Sequence, residues 1–404
     1  MSYFNPQTWR RFTREEQLDY LDTLGKHDRG GEGAGRGDIL VVQNLVSPLD
    51  LYTYLKARFG EPNGMQTFLR NDDSDNMFHW DYYLKAGDRR LIFIGATQEV
   101  HIWTQDCLTD AEWFELIGNL KLDFGRVGKE KKAVLEGLER WSIFPNHFLS
   151  VAGRCADSYD KLRESLDALS SDTPKFRFSP DDPKFKSKAK KDSALLTNIT
   201  AAATDLSILT PIMFESFLGL LIACFVKPEV KKNDRLYLAF LRGQLDVKLF
   251  DLHNRCNGFS RPIEPNNSVM RRYWNAVNRR NDIIHGNVDP IKNSLDVVYF
   301  DKKVPLFRSG GDRIRSFRES LLDQHKPHTV LEDYLTAHEF IYEIADHMMP
   351  EFRESLFVVM DDSQPGFDEK RNELGRLFPG HVTSFYLPGL RYDYELKADK
   401  ETSA

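Results

Sequence analysis

The spacing of apolar residues predicts two different kinds of structure along this chain. Over residues 77–104 apolar and polar positions alternate with a period of two, and turn residues fall near Gly87 and Gly95. This pattern predicts three antiparallel strands. Segments whose apolar residues have the spacing of helices lie on both sides of these strands, so residues 1–150 are expected to form an α+β domain. The other elements predicted there are a strand over 38–45 and helices over 13–24, 48–59, 109–123 and 127–142.

Residues 195–356 are predicted to be mainly helical, because their apolar positions recur every three or four residues. A β-hairpin is predicted over 295–307, followed by a polar helix over 311–324. Mostly short connections between the long helices indicate an up-and-down helical bundle, and residues 357–404 are expected to form a C-terminal extension. The four main helices are predicted over 195–226, 231–256, 266–285 and 329–348.

Residues 151–194 are expected to contain a helix and then a basic linker, because 170–194 is rich in Ser, Pro, Asp and Lys. The linker is interpreted as a solvated connection, and a tether for the RNA backbone is the alternative. Its basic run comprises Lys184, Lys186, Lys188, Lys190 and Lys191. The glycine-rich run over 29–38 is interpreted as a flexible connector, since it lacks the Gly-Lys-Ser/Thr ending of a phosphate loop and precedes a strand.

One segment, 206–226, is long and apolar enough to span a bilayer. Glu215 lies near its centre, and Pro211 precedes it by about one turn. A carboxylate is costly in the middle of a membrane, so a buried core helix is the preferred interpretation. No membrane association is therefore expected.

Composition restricts the kinds of binding surface, metal site and cellular location that are expected. The chain has 404 residues and a net charge of −6, so any RNA-binding surface must be local. The four cysteines form no C-x-x-C pair, which is typical of reduced thiols and gives no zinc site. The first residues lack the apolar core of a secretory signal, and a cytoplasmic location is expected. No cofactor or metal is predicted.

The most informative motif is Arg280-Asn281-Asp282-Ile-Ile-His285, at the end of a predicted helix. An arginine can bind a phosphate oxygen in a bidentate manner, and a histidine can transfer a proton near neutral pH. The spacing between the arginine and the histidine is weak support for a phosphate-cleaving site by itself. Arg279 precedes His285 at a similar spacing, and so do other Arg/His pairs along the chain. Only Arg280 is followed by a polar residue of the expected kind. The other pairs are Arg140 with His147, Arg318 with His325 and Arg376 with His381.

This motif resembles the R-x4–6-H motif of the HEPN superfamily, whose active members are mostly ribonucleases. The resemblance covers about 160 residues and implies a helical bundle, a site formed by two paired copies, and a role in toxin–antitoxin or anti-phage defence. It implies tRNA or mRNA as substrate and a homodimer through the helical domain. An antitoxin or a phage-derived trigger is a further possible partner, and the N-terminal domain would act as a sensor or restraint.

A helical wheel places Arg280 on the same apolar stripe as Met270, Tyr273, Val277 and Ile284. Such an arginine needs a partner or a polar cleft, and Glu215 is the candidate partner. An acidic residue in an early bundle helix also resembles several HEPN families. Glu215 as a boundary residue that reaches solvent is the alternative. Arg280 and His285 lie about 140° apart around the helix, so either the long Arg280 side chain wraps around the helix or a second copy completes the site. The resemblance implies the second copy.

The predicted reaction is a metal-independent cleavage in which the RNA 2′-OH attacks the adjacent phosphorus and the 5′-oxygen leaves. The products are a 2′,3′-cyclic phosphate and a 5′-hydroxyl end. Arg280 would stabilise the charge on the transition state, His285 would act as general acid or base, and Asn281 would orient the phosphate or the histidine. Asp282 and Glu215 would support them. Arg271, Arg272 and Arg279 on the same helix are candidates for additional phosphate contacts, and solvated charges or ion pairs with nearby acids are the alternatives.

Two other functions are compatible with the same residues. A non-catalytic HEPN module would bind RNA or a protein partner through this surface. A purely structural helical scaffold would make the motif accidental, with His285 capping a helix and Arg280 in a structural ion pair.

Overall fold

A computed structural model describes residues 2–27, 37–62, 78–171, 183–265, 267–285, 291, 294, 297–307, 313–378 and 389–397. The chain divides into two compact units. Unit 1 comprises Met1–Arg140 and Leu377–Ala404, and unit 2 comprises Trp141–Arg376. The predicted boundaries at 150 and 357 therefore differ from those of the compact units. The predicted C-terminal extension is shared between them.

Unit 1 contains a six-stranded sheet in the order β1-β3-β4-β5-β2-β11. The predicted three-stranded meander is confirmed, since β3, β4 and β5 pair antiparallel in sequence. Gly87 has a φ of +64° in the β3–β4 turn, a conformation that glycine adopts without a steric penalty. The strands are β1 Trp9–Arg11, β2 Asp38–Val42, β3 Trp80–Ala86, β4 Arg89–Gly95, β5 Val100–Thr104 and β11 Arg391–Tyr392.

Helices cover both faces of this sheet, because consecutive residues of β4 are apolar and both faces therefore need cover. Leu91 and Phe93 of β4 are buried in the main core, together with residues of α2 and α3. The intervening Ile92 and Ile94 face a smaller cluster that includes Tyr20 of α1. The helices are α1 Arg14–His27, α2 Pro48–Phe59, α3 Asp110–Phe124 and α4 Gly128–Glu136.

The C-terminal residues complete the sheet of unit 1, which the sequence analysis did not predict. Strand β11 pairs parallel to β2. The Asp393 carboxylate accepts hydrogen bonds from the backbone N–H groups of Gln43, Asn44 and Leu45, at 3.2, 2.8 and 2.7 Å. Three amide donors on one buried carboxylate anchor this segment without a long strand.

Unit 2 is built around four helices, α5 His147–Ser171, α6 Pro183–Phe225, α10 Ser268–Ile284 and α12 Pro327–Asp346. Their buried residues form one continuous core. A helical bundle is therefore present, but α5 replaces the predicted second helix. The shorter helices are α7 Pro228–Lys231, α8 Asp234–Leu241, α9 Leu245–Arg255, α11 Arg313–His325 and α13 Pro350–Met360.

Three of the predicted segments, one of them mostly in unit 1, were wrong in detail. The helix over 231–256 is broken, because Asn233 caps α8 and Gly243 separates α8 from α9. The helix over 127–142 ends before Gly137, and β6 Trp141–Ile143 follows it. Residues 183–194 are helical rather than a linker, since their Lys and Ala residues favour helix.

Two small sheets complete unit 2. Strand β6 pairs with β9 Gly366–Asp368, which pairs with β10 Glu373–Gly375. The predicted hairpin is confirmed as β7 Val298–Asp301 and β8 Val304–Phe307. The glycine-rich connector over 29–36 and the linker residues 172–182 lie outside the described residues.

Within the described residues, one helical stretch, Lys190–Phe225, is long and apolar enough to cross a membrane. It belongs to α6, and its apolar residues lie in the core of unit 2. Phe214, Phe217 and Leu221 are fully buried there. Helix α6 thus has the burial of a core helix, as expected.

Candidate functional site

Helix α10 carries the Arg/His motif, and its own sequence explains where it begins. The Asn267 side chain accepts hydrogen bonds from the backbone N–H groups of Val269 and Met270, at 2.7 and 3.2 Å. This is the preferred arrangement at a helix N-terminus. Met270, Tyr273 and Val277 then face the core, at most 9% exposed. The apolar stripe is confirmed for these three residues.

The stripe does not extend to the end of the helix. Ile284 is 51% exposed, so its predicted place in the buried face was wrong. The bundle core ends before the last turn of α10, and Arg280 lies at that boundary. Its side chain retains 20% exposure. A guanidinium at the rim of an apolar core can keep its stem buried and its charge near water.

Arg280 and Glu215 form the ion pair that the sequence predicts. Nη2 of Arg280 donates to Oε1 of Glu215 over 2.5 Å, joining α10 to α6. The Glu215 side chain is 43% exposed, so it both binds Arg280 and reaches solvent. Nε of Arg280 is buried and has no partner among the described residues. One terminal nitrogen of the guanidinium is thus held by a carboxylate.

Tyr273 lies beside this pair, and its role was not predicted from the sequence. It is fully buried, and its ring centroid is 4.4 Å from that of Phe214. Its hydroxyl has no hydrogen-bond partner among the described residues. Burial, and then the charge of Glu215, raise the pKa of Tyr273 well above its usual range, while Arg280 opposes this shift. The phenol therefore stays neutral beside the ion pair.

His285 occupies the C-cap of α10 rather than its last turn, and its backbone N–H donates to the carbonyl of Asn281 over 3.0 Å. The imidazole is exposed, Asn281 is half-buried and Asp282 is exposed. At 100° per residue, His285 projects from a different side of the helix than Arg280. One copy of α10 therefore does not place both side chains on one face.

Two of the three arginines predicted to bind phosphate are engaged by acids on α12. Arg272 donates to both carboxylate oxygens of Glu339 at 2.7 Å, and Arg279 binds Asp333. Burial raises the pKa of Asp333, although its bond to Arg279 opposes the shift. Arg271 is exposed and makes no side-chain ion pair within the described part of the chain. Only Arg271 is therefore available for phosphate without breaking an ion pair.

One competing Arg/His pair, Arg318 with His325, is less suited to chemistry. On α11, Arg318 donates to the backbone carbonyl of Leu169 at 3.4 Å, and burial lowers the pKa of His325. His381 lies outside the described residues. Over the described residues, no group of three His, Cys, Asp or Glu side chains has the arrangement of a metal site.

No family model, curated protein or solved structure matches this chain. The geometry of α6, α10 and α12 is consequently the basis for assigning a function.

Proposed function

We propose that unit 2 is a metal-independent endoribonuclease of the HEPN type, with the cleavage site at the C-terminal end of α10. The observation that supports this most strongly is the Arg280–Glu215 pair, at the rim of the core and five residues before an exposed histidine. An arginine held in a fixed orientation is suited to stabilising a developing phosphorane.

The roles follow from the chemistry of the side chains. Arg280 contacts the scissile phosphate and Glu215 fixes its orientation. His285 donates a proton to the leaving 5′-oxygen or accepts one from the attacking 2′-OH. Asn281 orients the phosphate or the imidazole. The substrate is RNA, because DNA lacks the 2′-OH that attacks.

Arg280 and His285 project from different sides of α10, so we propose that the site is composite. The His285 of a second copy would approach the Arg280 of the first across a two-fold axis. Unit 1 would then restrain or trigger the reaction. The described residues of unit 1 do not identify a ligand for it. A cytoplasmic toxin or anti-phage effector that acts on tRNA or mRNA, and answers to an antitoxin or a phage product, is the biological role we propose.

The test is an RNA cleavage assay with EDTA present. Wild type is expected to cut RNA and leave 2′,3′-cyclic phosphate ends, whereas His285→Ala and Arg280→Ala are expected to lose at least about 100-fold in rate. Arg353→Ala is a matched control, since Arg353 pairs with Asp346 elsewhere in unit 2. Equal rates for all four proteins would contradict the proposal.

Expression in cells provides a second readout, because a restrained enzyme can be silent in vitro. Wild type is expected to slow growth and to fragment RNA once its trigger is present. His285→Ala should do neither. Growth inhibition by His285→Ala as strong as that of wild type would contradict catalysis by this residue.

A non-catalytic binding module is the second candidate, and the ion pairs of Arg272, Arg279 and Arg280 favour it. Every one of these charges is already neutralised by an acid. This hypothesis predicts that Arg280→Ala lowers the stability of unit 2 and leaves the biological effect in place. The cleavage and growth assays therefore separate the two functions.

A further inference from the structure

The C-terminal segment 391–397 lies in unit 1 in the manner of a bound, extended peptide. Its first two residues form β11 and pair parallel with Leu40 and Val41 of β2. A peptide that adds a strand to the edge of a sheet gains main-chain hydrogen bonds, and its side chains provide specificity. The remaining contacts of the segment are with the loop that follows β2 and with the start of α3, so its binding groove lies within unit 1.

The loop after β2 presents three successive backbone N–H groups to one carboxylate. Gln43, Asn44 and Leu45 donate to Oδ2 of Asp393 at 3.2, 2.8 and 2.7 Å. The side-chain amide of Asn44 adds a contact of 3.4 Å to Oδ1. Successive N–H groups of this kind form a binding site for anions. An apolar side chain in this position would leave three donors without a partner, so this part of the groove selects an acidic residue.

Two further contacts define which residues can precede the acidic one. Tyr392 is 1% exposed and provides an aromatic anchor, the kind of residue that dominates the energetics of interfaces. At the start of α3, Asp110 binds the guanidinium of Arg391 and also accepts the backbone N–H of Lys397 at 2.8 Å. Asp110 thus holds both ends of the segment. The groove therefore selects a cationic, an aromatic and an acidic residue in succession.

The pairing of β11 is incomplete, which favours exchange of the segment. Strand β5 pairs with all five residues of β2, whereas β11 pairs with two. The contact between Arg391 and Asp110 is partly exposed, at 34% and 28%, so solvent screening weakens it. Segments with few buried apolar contacts open at a lower free energy than the core of a unit. A strand that pairs with more of β2 therefore gains contacts when it replaces β11.

We propose that this groove is a peptide-binding site, which residues 391–397 occupy in cis. It comprises β2, the loop 43–45 and Asp110. Its partner is a protein that presents an extended strand with a cationic, an aromatic and an acidic residue in succession, and this strand replaces β11 parallel to β2. The tethered segment competes with the partner at an effective concentration of about 1 mM. Partner binding is therefore weak until the cis segment is loosened.

This inference goes beyond the proposed function, because peptide binding to unit 1 requires no reaction in unit 2. A His285→Ala chain should bind a peptide in this groove with the same affinity as the chain that retains His285. Peptide binding without RNA cleavage would support the inference and contradict the proposed function. RNA cleavage without peptide binding would overturn the inference and leave the proposed function in place.

The experiment is fluorescence anisotropy of a labelled synthetic peptide of residues 389–397, titrated with the full chain. Asp393→Ala loosens the cis segment, so this chain should bind the peptide at least about 30-fold more tightly than wild type, since an intramolecular competitor is removed. Arg391→Ala should tighten peptide binding by about 5-fold, because it removes only the partly exposed contact with Asp110.

Three controls identify the groove as the site. Asp368→Ala removes a buried carboxylate that accepts two backbone N–H groups in unit 2, and this chain should bind the peptide like wild type. A peptide in which alanine replaces Asp393 should bind to none of the chains. Adding Asp110→Ala to Asp393→Ala should weaken peptide binding at least about 10-fold, because the hydrogen bonds of a charged group to both ends of the peptide are lost.

Thermal melts show whether each variant is folded, and Arg391→Ala carries the test if Asp393→Ala is unfolded at the assay temperature. Equal peptide affinity of the wild type and the folded variants, or no binding by any chain, would overturn the inference. Binding of the alanine-substituted peptide as tight as that of the parent peptide would overturn it too. Displacement of the peptide by inorganic phosphate would identify a phosphate site at the loop 43–45 instead.

Discussion

Replacing Glu215 by glutamine tests whether the carboxylate positions Arg280 or obstructs it. The substitution keeps the size of the side chain and one acceptor oxygen, replaces the second oxygen by an NH2 donor, and removes the charge. Glu215 binds Nη2 of Arg280 at 2.5 Å and is 43% exposed. If Glu215 fixes the guanidinium for the transition state, its loss lowers kcat. If Glu215 instead occupies the phosphate position, its loss raises kcat/KM, because the phosphate no longer competes with the carboxylate for Arg280.

The magnitude follows from the exposure of the pair. A half-exposed ion pair is partly screened, so its loss should destabilise unit 2 by about 0.5–1 kcal/mol. For a unit of this size, that corresponds to a Tm decrease of about 1–4 °C. A double-mutant cycle with Arg280→Gln should give a coupling energy of about 0.5–1 kcal/mol. A looser guanidinium should lower kcat about 10-fold with little change in KM.

The assay combines thermal melts with RNA cleavage under single-turnover conditions. Asp346→Asn is the matched control, because it breaks the exposed pair with Arg353 without touching α10. Its cleavage rate should equal that of wild type. A faster Glu215→Gln enzyme would refute the positioning role. A coupling energy of zero, together with an unchanged rate, would show that the pair does not act on the site at all.

Three other parts of the structure give checkable expectations. Tyr273→Phe should leave unit 2 as stable or stabilise it by up to about 1 kcal/mol, since it removes a buried hydroxyl without a partner; a loss above 1 kcal/mol in denaturant melts would contradict this. Burial favours protonation of Asp123, but Arg126, Tyr54 and Arg58 outweigh it and hold its pKa below the usual range. The ionised Asp123 carboxylate therefore stabilises unit 1 above about pH 4, and this contribution is lost as the pH falls further. In acid titrations, the free energy of unfolding of Asp123→Asn should fall less with decreasing pH than that of wild type. With a thiol reagent at pH 8, the native chain should label at the exposed Cys107 alone, because burial raises the pKa of the other thiols to about 12; more than one fast-reacting thiol would contradict the described burial. These thiols are Cys155, Cys224 and Cys256.

Local patterns predicted those elements whose periodicity is strong. The meander over 77–104 is rich in β-forming residues and is divided by turns near Gly87 and Gly95, and α2, α3, α10 and α12 each agree with the structure within about two residues. Short strands were missed, because β11 has two residues and its place depends on the distant Asp393 carboxylate. No window of local sequence contains that information. The predicted helix over 231–256 is broken by the Asn233 cap and by Gly243, and the spacing of apolar residues alone does not reveal either break.

The candidate site shows the same division between local and distant information. The Arg280–Glu215 pair was predictable, because an arginine on an apolar stripe and a carboxylate in an apolar helix both need a partner. For Arg272 and Arg279, ion pairs with nearby acids were one of the alternatives. Their partners on α12 were not predictable, since both arginines lie on the polar side of α10, where a charge can also remain solvated. Tyr273 was recognised only as a core residue, because nothing in its sequence position places its hydroxyl beside two charges.

These ion pairs also define what RNA binding would require. A phosphate that bound Arg272 or Arg279 would have to replace a carboxylate that is already in contact, so the gain from each is small. Arg271, without an ion pair among the described residues, offers a net new contact. Affinity for RNA from one copy of α10 is therefore expected to be weak at physiological salt. A dimer presents two such helices, and this doubling gives a physical reason for cleavage to depend on association of two copies.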